Sequence, residues 1–286
     1  VSEELNGVER LSAETPRQIA NAHTIFNVVN TTLFLGFSTQ FARFVEWIVP
    51  DRPLVEAARV RARYLDSELI ATPSLALERV RLELKIVGDH VQAMMQAILP
   101  AIVSGNELSL RAISKMDDDV DALHGQIVVY LGRISQAALT KEQTTEFLKL
   151  MEAVNDLENI GDIIETNLVA LGRHRIEQNI TISEATQTIL QNFQHAVSES
   201  VATAVEAVTT KSEDASQAVV QMKQKINRLA DEAAAHQARR LVALEPHRLP
   251  NYRIETDVLQ NLKRIFYFAK RMARAAIPAM ELREDD

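Results

Sequence analysis

Apolar residues recur every three or four positions along most of this chain, the period of helices that bury one face. From Ser74, a capping residue type behind Pro73, one seam runs through Leu77, Val80, Leu84, Val87, Val91, Met94, Ile98 and Ile102, and Gly105-Asn106 ends it. A second seam takes Leu110, Ile113, Asp117, Val120, His124, Ile127, Leu131, Ile134 and Ala138. After Thr140-Lys141 a third takes Phe147, Leu150, Val154, Leu157, Gly161, Ile164, Leu168 and Leu171. Thr181-Ile182-Ser183-Glu184 reads as a capping box opening a second set. Its seams run from Leu190 to Val208, from Val219 to Arg240 and, beyond Pro246 and Pro250, from Ile254 to Ala276. Narrow seams suit antiparallel bundles. The expectation is an all-α chain with two three-helix bundles, 74–177 and 181–280, related by internal duplication. A linker at 51–73 and a distinct segment at 1–50 precede them.

That first segment breaks the pattern. Gln18 to Ala42 holds 25 residues without Asp, Glu, Lys or Arg. As a helix it spans roughly 37 Å, enough to cross a bilayer core of about 30 Å. It lacks the basic start and cleavage site of a signal peptide. Phe41, Phe44 and Trp47 stand where an interfacial aromatic belt would stand, and Arg43, Arg52, Arg59, Arg61 and Arg63 follow. By the positive-inside tendency, everything after the span faces the cytoplasm. Asn21, His23, Thr24, Asn27, Asn30, Thr31 and Thr32 make the run polar for a simple anchor. In hydrocarbon such groups have to face protein or a watery path. Two readings stand: a membrane helix that belongs among others, or the buried helix of a soluble protein.

Composition narrows the functions. Gly and Pro number 8 each in 286 residues, too few for the many tight turns of an alternating βα fold. The absence of cysteine excludes disulfides, thiolate zinc sites and cysteine nucleophiles. A net charge of −8 and 5% aromatics argue against a nucleic-acid partner, which needs a basic face or stacking platform. No phosphate loop, nucleophile elbow or His-Glu-x-x-His occurs, and no catalytic roles can be assigned, so an enzyme is not expected.

Carboxylates stand where apolar residues should. Asp117 occupies a seam position, with Asp121 and His124 on the same face. Beside the third seam, Asn155, Glu158, Asp162 and Glu165 recur at helical spacing, and Gly161 permits a close neighbour. If the second and third helices pack antiparallel, the two stripes face each other and offer hard oxygen ligands for Mg, Mn, Ca or iron. The same acids could equally form a solvated face or pair with Arg and Lys of the first helix. His124 and His236 read as packed core histidines.

These residues resemble a known family. Ile19-Ala20-Asn21-Ala22-His23-Thr24-Ile25-Phe26-Asn27 resembles the opening of the last membrane helix in bacterial sodium/phosphate cotransporters. The helical remainder resembles the PhoU-like domain attached to many of them. Its Asp-x-x-Val-Asp motif is met by Asp117 to Asp121, and Glu-Arg-Ile-Gly-Asp by Glu158-Asn159-Ile160-Gly161-Asp162, with Asn159 replacing Arg. Leu262-Lys263-Arg264-Ile265 resembles the second-repeat counterpart, although Asn227/Asp231 and Asp257/Asn261 are poor acidic pairs there. The resemblance implies the C-terminal portion of a sodium-dependent phosphate symporter in the inner membrane, its PhoU-like regulatory domain cytoplasmic. It implies phosphate and sodium as partners through further membrane repeats, whose Gln-Ser-Ser motifs do not occur here. A chain starting at Val1 fits such a portion. It implies His23 and Asn27 near the transport path, and multinuclear iron or zinc, or another divalent metal, on Asp117, Asp121, Glu158 and Asp162. A soluble PhoU-like signalling protein docking on a phosphate importer or sensor kinase is the alternative. Homo-oligomerisation is open under both.

Overall fold

The structure, a computed structural model, describes residues 7–48, 60–242 and 248–276. The chain divides into two units, Val1–Ala57 and Ala58–Asp286. The larger unit contains α2 (Pro73–Ser104), α3 (Glu107–Ile134), α4 (Lys141–Asp162), α5 (Val169–Glu177), α6 (Glu184–Thr210), α7 (Glu213–Val242) and α8 (Arg248–Ala276). A π-helical turn, Ile163–Leu168, joins α4 to α5. No strand occurs among the described residues, so the all-α expectation holds.

Local chemistry sets the helix starts. Asn106 and Ser109 form a reciprocal capping box at α3, and Thr140 and Gln143 form another at α4; each satisfies amides that the first turn leaves unpaired. The expected box at Thr181–Glu184 is displaced: Ser183 caps α6 by accepting from the Thr186 amide at 3.4 Å. Pro250 does not precede the last helix but sits in its first turn, where a missing N–H costs nothing. Pro246 lies outside the described residues.

Both triplets share one core. Leu77, Leu84, Val91 and Ile98 of α2 are buried in the same cluster as Leu123 and Ile127 of α3, Leu157 and Ile160 of α4, Phe193 and Val201 of α6, and Ile265 and Met272 of α8. α2 packs on α6, and α4 on α8. Gly88 makes the first contact close: a Cβ there would stand 2.7 Å from Val205. At the second, the fully buried Asp156 of α4 accepts two hydrogen bonds from Arg271 Nε, at 2.9 and 3.2 Å, and a further one from its Nη2. Arg271 also lies over the Phe268 ring, 5.0 Å from its centroid.

The smaller unit contains α1 (Gly7–Ile48). Ile25, Phe26, Val28, Val29, Leu33, Phe34, Leu35 and Phe37 point to all sides of it, and all are exposed. By length and apolar composition, the helix among the described residues that could cross a bilayer is α2, half of whose apolar window is buried in the core. The Gln18–Ala42 run falls short of that measure, because amides, hydroxyls and an imidazole interrupt its apolar residues. The Trp47 and Phe44 side chains, and Arg52 and Arg59, lie outside the described ones.

Arg271→Ala should destabilise the protein by about 3 kcal/mol, near the low end for breaking a buried pair because Arg271 is itself 38% exposed. A double variant, Asp156→Leu with Arg271→Leu, should recover most of that loss in urea unfolding, since no buried charge is then left unpaired.

Candidate metal centre

The antiparallel packing of α3 on α4 brings the two acidic stripes together. Asp117, Asp121 and Asp162 each offer a carboxylate oxygen, and these oxygens all lie within 4.8 Å of one another. Asp117 is buried, while Asp121 and Asp162 are exposed, so the cluster has a floor and an open mouth. Its closeness depends on Gly161, one position before Asp162: a Cβ there would stand 2.6 Å from Asp117 Oδ1. Any side chain at 161 would push into the carboxylate.

Electrostatics at the floor are unfavourable without a counter-charge. Asp117 Oδ1 is buried and has no hydrogen-bond partner. Burial first, and then the charges of Asp121, Asp162, Glu165 and Glu158, push its carboxyl up to about 7. Asp121 is raised for the same reasons, burial first and Asp162 next, although His124 works against the shift. Glu158 is raised by burial and by Asp162. Its carboxylate is outside the trio, so three of the four expected ligands come together and Glu158 stands beside them. His124 is half-buried, its Nε2 2.9 Å from Asn155 Oδ1. His236 is also half-buried, its Nε2 3.1 Å from Thr186 Oγ1.

The π-helical turn begins directly after Asp162 and contains Glu165. It widens the helix by about one residue in that turn, a distortion that is frequent at functional positions. Nothing in the residue spacing announces it. The donor set is all oxygen, with one buried, unpartnered atom at its base, and that suits a hard divalent cation or iron. It suits zinc less, because zinc prefers nitrogen and sulfur.

His23 and Asn27 are one turn apart on α1, and both are exposed. A second concavity, a cavity of about 500 Å³, is lined by Arg81, Glu146, Lys149 and Lys211 among others. Its charges largely cancel: Arg81 pairs with Glu78 and Glu146, and Lys211 pairs with the same two at 3.4 and 3.3 Å.

Comparison with known proteins bears on the same segment. Residues 84–167, which contain all three clustered aspartates, match the family model described as "PhoU domain". A protein of Salmonella typhimurium, described as "Putative inorganic phosphate export protein YjbB", is 29% identical over 160 residues. Those residues are 56% of this chain and 29% of that protein. The Escherichia coli K12 protein of the same description is 28% identical over 156 residues. The chain thus spans under a third of the length of the curated relatives it matches. The crystal structure of PhoU from Pseudomonas aeruginosa superposes with a TM-score of 0.64, covering 70% of this chain and 95% of that one at 19% identity, a likeness of fold. Residues 84–167 thus match a PhoU domain, within a helical fold like that of PhoU.

Proposed function

We propose that this chain is a PhoU-like regulatory part of a phosphate-handling system, and that Asp117, Asp121 and Asp162 hold a hard divalent cation. The observation that carries the reading is the buried, unpartnered Asp117 Oδ1 facing two further aspartates inside the PhoU-matched segment. A bound cation would neutralise the three charges and tie α3 to α4. The role is binding and regulation, not catalysis.

The regulatory reading has better support than a sodium-coupled symporter, because residues 84–167 match a PhoU domain and the fold is like that of PhoU. Association with a membrane transporter draws on α1, whose large apolar side chains are uncovered on every side. On a run of 25 residues without formal charge, Gln18 to Ala42, such side chains suit a place among other membrane helices, which can also meet its amides and hydroxyls. The PhoU-like unit then lies on the cytoplasmic side, and His23 and Asn27 face other membrane helices.

Metal analysis of the purified chain should find a divalent ion, with Mn or Mg binding raising the melting temperature. Asp117→Ala and Asp162→Ala should abolish that rise, and Glu158→Ala should only weaken it. Gly161→Ala should lower metal affinity by roughly 10- to 100-fold, the scale of disturbing a ligand's support, with helicity unchanged. Identical metal content and melting shift in Asp117→Ala would remove the site.

The pH dependence follows from Asp117. Its folded value, about 7, exceeds its ordinary 3.8, so the folded state holds the proton over that interval. Metal-free stability should therefore fall as pH rises from about 4 to about 7. Asp117→Asn should flatten that fall and be more stable at pH 8 by on the order of 2–4 kcal/mol, as read by urea unfolding in chelator.

Fractionation of cells tests the membrane association: α1-containing protein should need detergent for release, and protein lacking residues 1–57 should not. Release of the full chain by salt alone would leave only the soluble regulatory reading.

A further inference from the structure

The two helical triplets carry the same buried lattice. With one constant shift in numbering, Ile113, Val120 and Ile127 of α3 fall on Val219, Ile226 and Ala233 of α7, all buried. With another, Ala153, Leu157 and Ile160 of α4 fall on Val258, Leu262 and Ile265 of α8, again all buried. Beyond the π-helical turn the shift is one residue smaller, and Leu168 and Val169 fall on Met272 and Ala273. The extra residue of the turn accounts for that single step.

This register locates the counterpart of the carboxylate cluster on α7 and α8. Asp117 corresponds to Lys223, Asp121 to Asn227, Glu158 to Lys263, Asp162 to Tyr267, and Glu165 falls at Lys270. Phe266, 7% exposed, stands at the position of Gly161, so a buried aromatic ring takes the place of the glycine on which the close approach to Asp117 depends. The charge is inverted, not merely lost. Lys263, Tyr267, Lys270 and Arg274 recur at 4, 3 and 4 residues, one stripe of α8.

Lys223 of α7 lies beside this stripe, close to Lys270. Lys270 is pushed below its ordinary value, by burial first and then by Arg274 and Lys223. The described ion pairs of α7 and α8 are Lys225–Glu199, Arg228–Glu232, Arg240–Glu255, and Arg271 with Glu152 and Asp156. None includes Lys223, Lys263, Lys270 or Arg274. Arg274 Nε is buried without a hydrogen-bond partner. In a chain of net charge −8, these cations are gathered where no described carboxylate answers them, and Tyr267, 55% exposed, lies among them.

We propose that Lys223, Lys263, Lys270 and Arg274 form an anion site for a linear oligophosphate. From Lys263 to Arg274 the stripe runs roughly 16 Å along the helix, several phosphate groups long and too extended for a single orthophosphate. Ammonium groups bind phosphate oxygens as point charges and the guanidinium adds directed donors. A monocarboxylate would answer one of these four charges; a chain of phosphates answers all of them. The proposal rests on α7 and α8 and not on the metal reading of α3 and α4, so either can fail alone.

The test titrates the purified full chain with tripolyphosphate and with orthophosphate by calorimetry in chelator-treated buffer. Vesicles of neutral lipid with and without an anionic phospholipid form a second arm. Tripolyphosphate should bind more tightly than orthophosphate and weaken steeply between about 50 and about 200 mM salt. The triple variant Lys223→Gln/Lys263→Gln/Lys270→Gln should lose affinity by at least about tenfold while its urea unfolding midpoint stays near that of the parent. Asp117→Asn should bind tripolyphosphate like the parent. Absent binding, equal binding by the triple variant, or binding of anionic vesicles with which tripolyphosphate does not compete would overturn the proposal, the last by assigning the patch to a lipid surface.

Discussion

A carboxylate placed in an apolar helix seam has to be neutralised, and the first repeat is organised around that requirement. Asp117 occupies the seam of α3 between Ile113 and Val120, both buried. An ionised carboxylate loses its hydration there, and one of its oxygens finds no donor. The available remedies are a proton, a donor or a cation. Donors are missing, and four further acids raise the cost of ionisation. A proton at neutral pH is only partly available to a group near 7. A divalent cation removes the whole penalty, since it attracts all three aspartates at once. The glycine at 161 and the widened turn after Asp162 keep space open at that point, and both depart from what would give the most stable helix.

Two ion pairs of the larger unit illustrate the opposite solution. Asp156 is as deeply buried as Asp117 but meets the fork of Arg271 across the α4–α8 contact. Glu255, almost fully buried, meets Arg240 at 2.6 Å. Asp156 and Glu255 are each answered by an arginine, and the fully buried Glu83 by the backbone amides of Arg63 and Tyr64, at 2.9 and 2.8 Å. At Asp117 the fold supplies more acids instead, and this contrast within one molecule is the strongest physical argument for an ionic ligand.

Much of this was legible in the spacing of residues. All six seams from Leu77 to Ala276 became helices, because a three-to-four period has only one way to bury its apolar side. Asp117 stood out as the seam position with the wrong chemistry, and Asp121 and Asp162 followed by helical geometry. Glu158 was expected with them but stands aside, since α3 approaches α4 over Gly161 and the adjacent Asp162. The π-helical turn had no signal, because a one-residue insertion in a continuous helix changes no residue type. The Arg271–Asp156 pair was equally hidden: neither sequence separation nor periodicity says which arginine crosses between triplets. The cap of α6 was misplaced by two residues, as Thr181 and Ser183 offer the same chemistry and only the backbone path chooses between them.

The matching registers of the two triplets show why so much basic charge escapes a seam-based reading. Buried positions of the two repeats remain apolar at matching registers, because each is held by the shared core. The exposed rim of α7 and α8 carries no such constraint and is free to change sign. With the buried Phe266 in place of Gly161, the close approach that gathers the three aspartates has no counterpart there. Lysines there cost less, since their long stems carry the charge out to water. The fold can thus hold opposite charge on equivalent faces without altering its core. The two faces differ beneath the charge as well: Gly161 stands in one helix contact and the buried Phe266 at the matching position of the other.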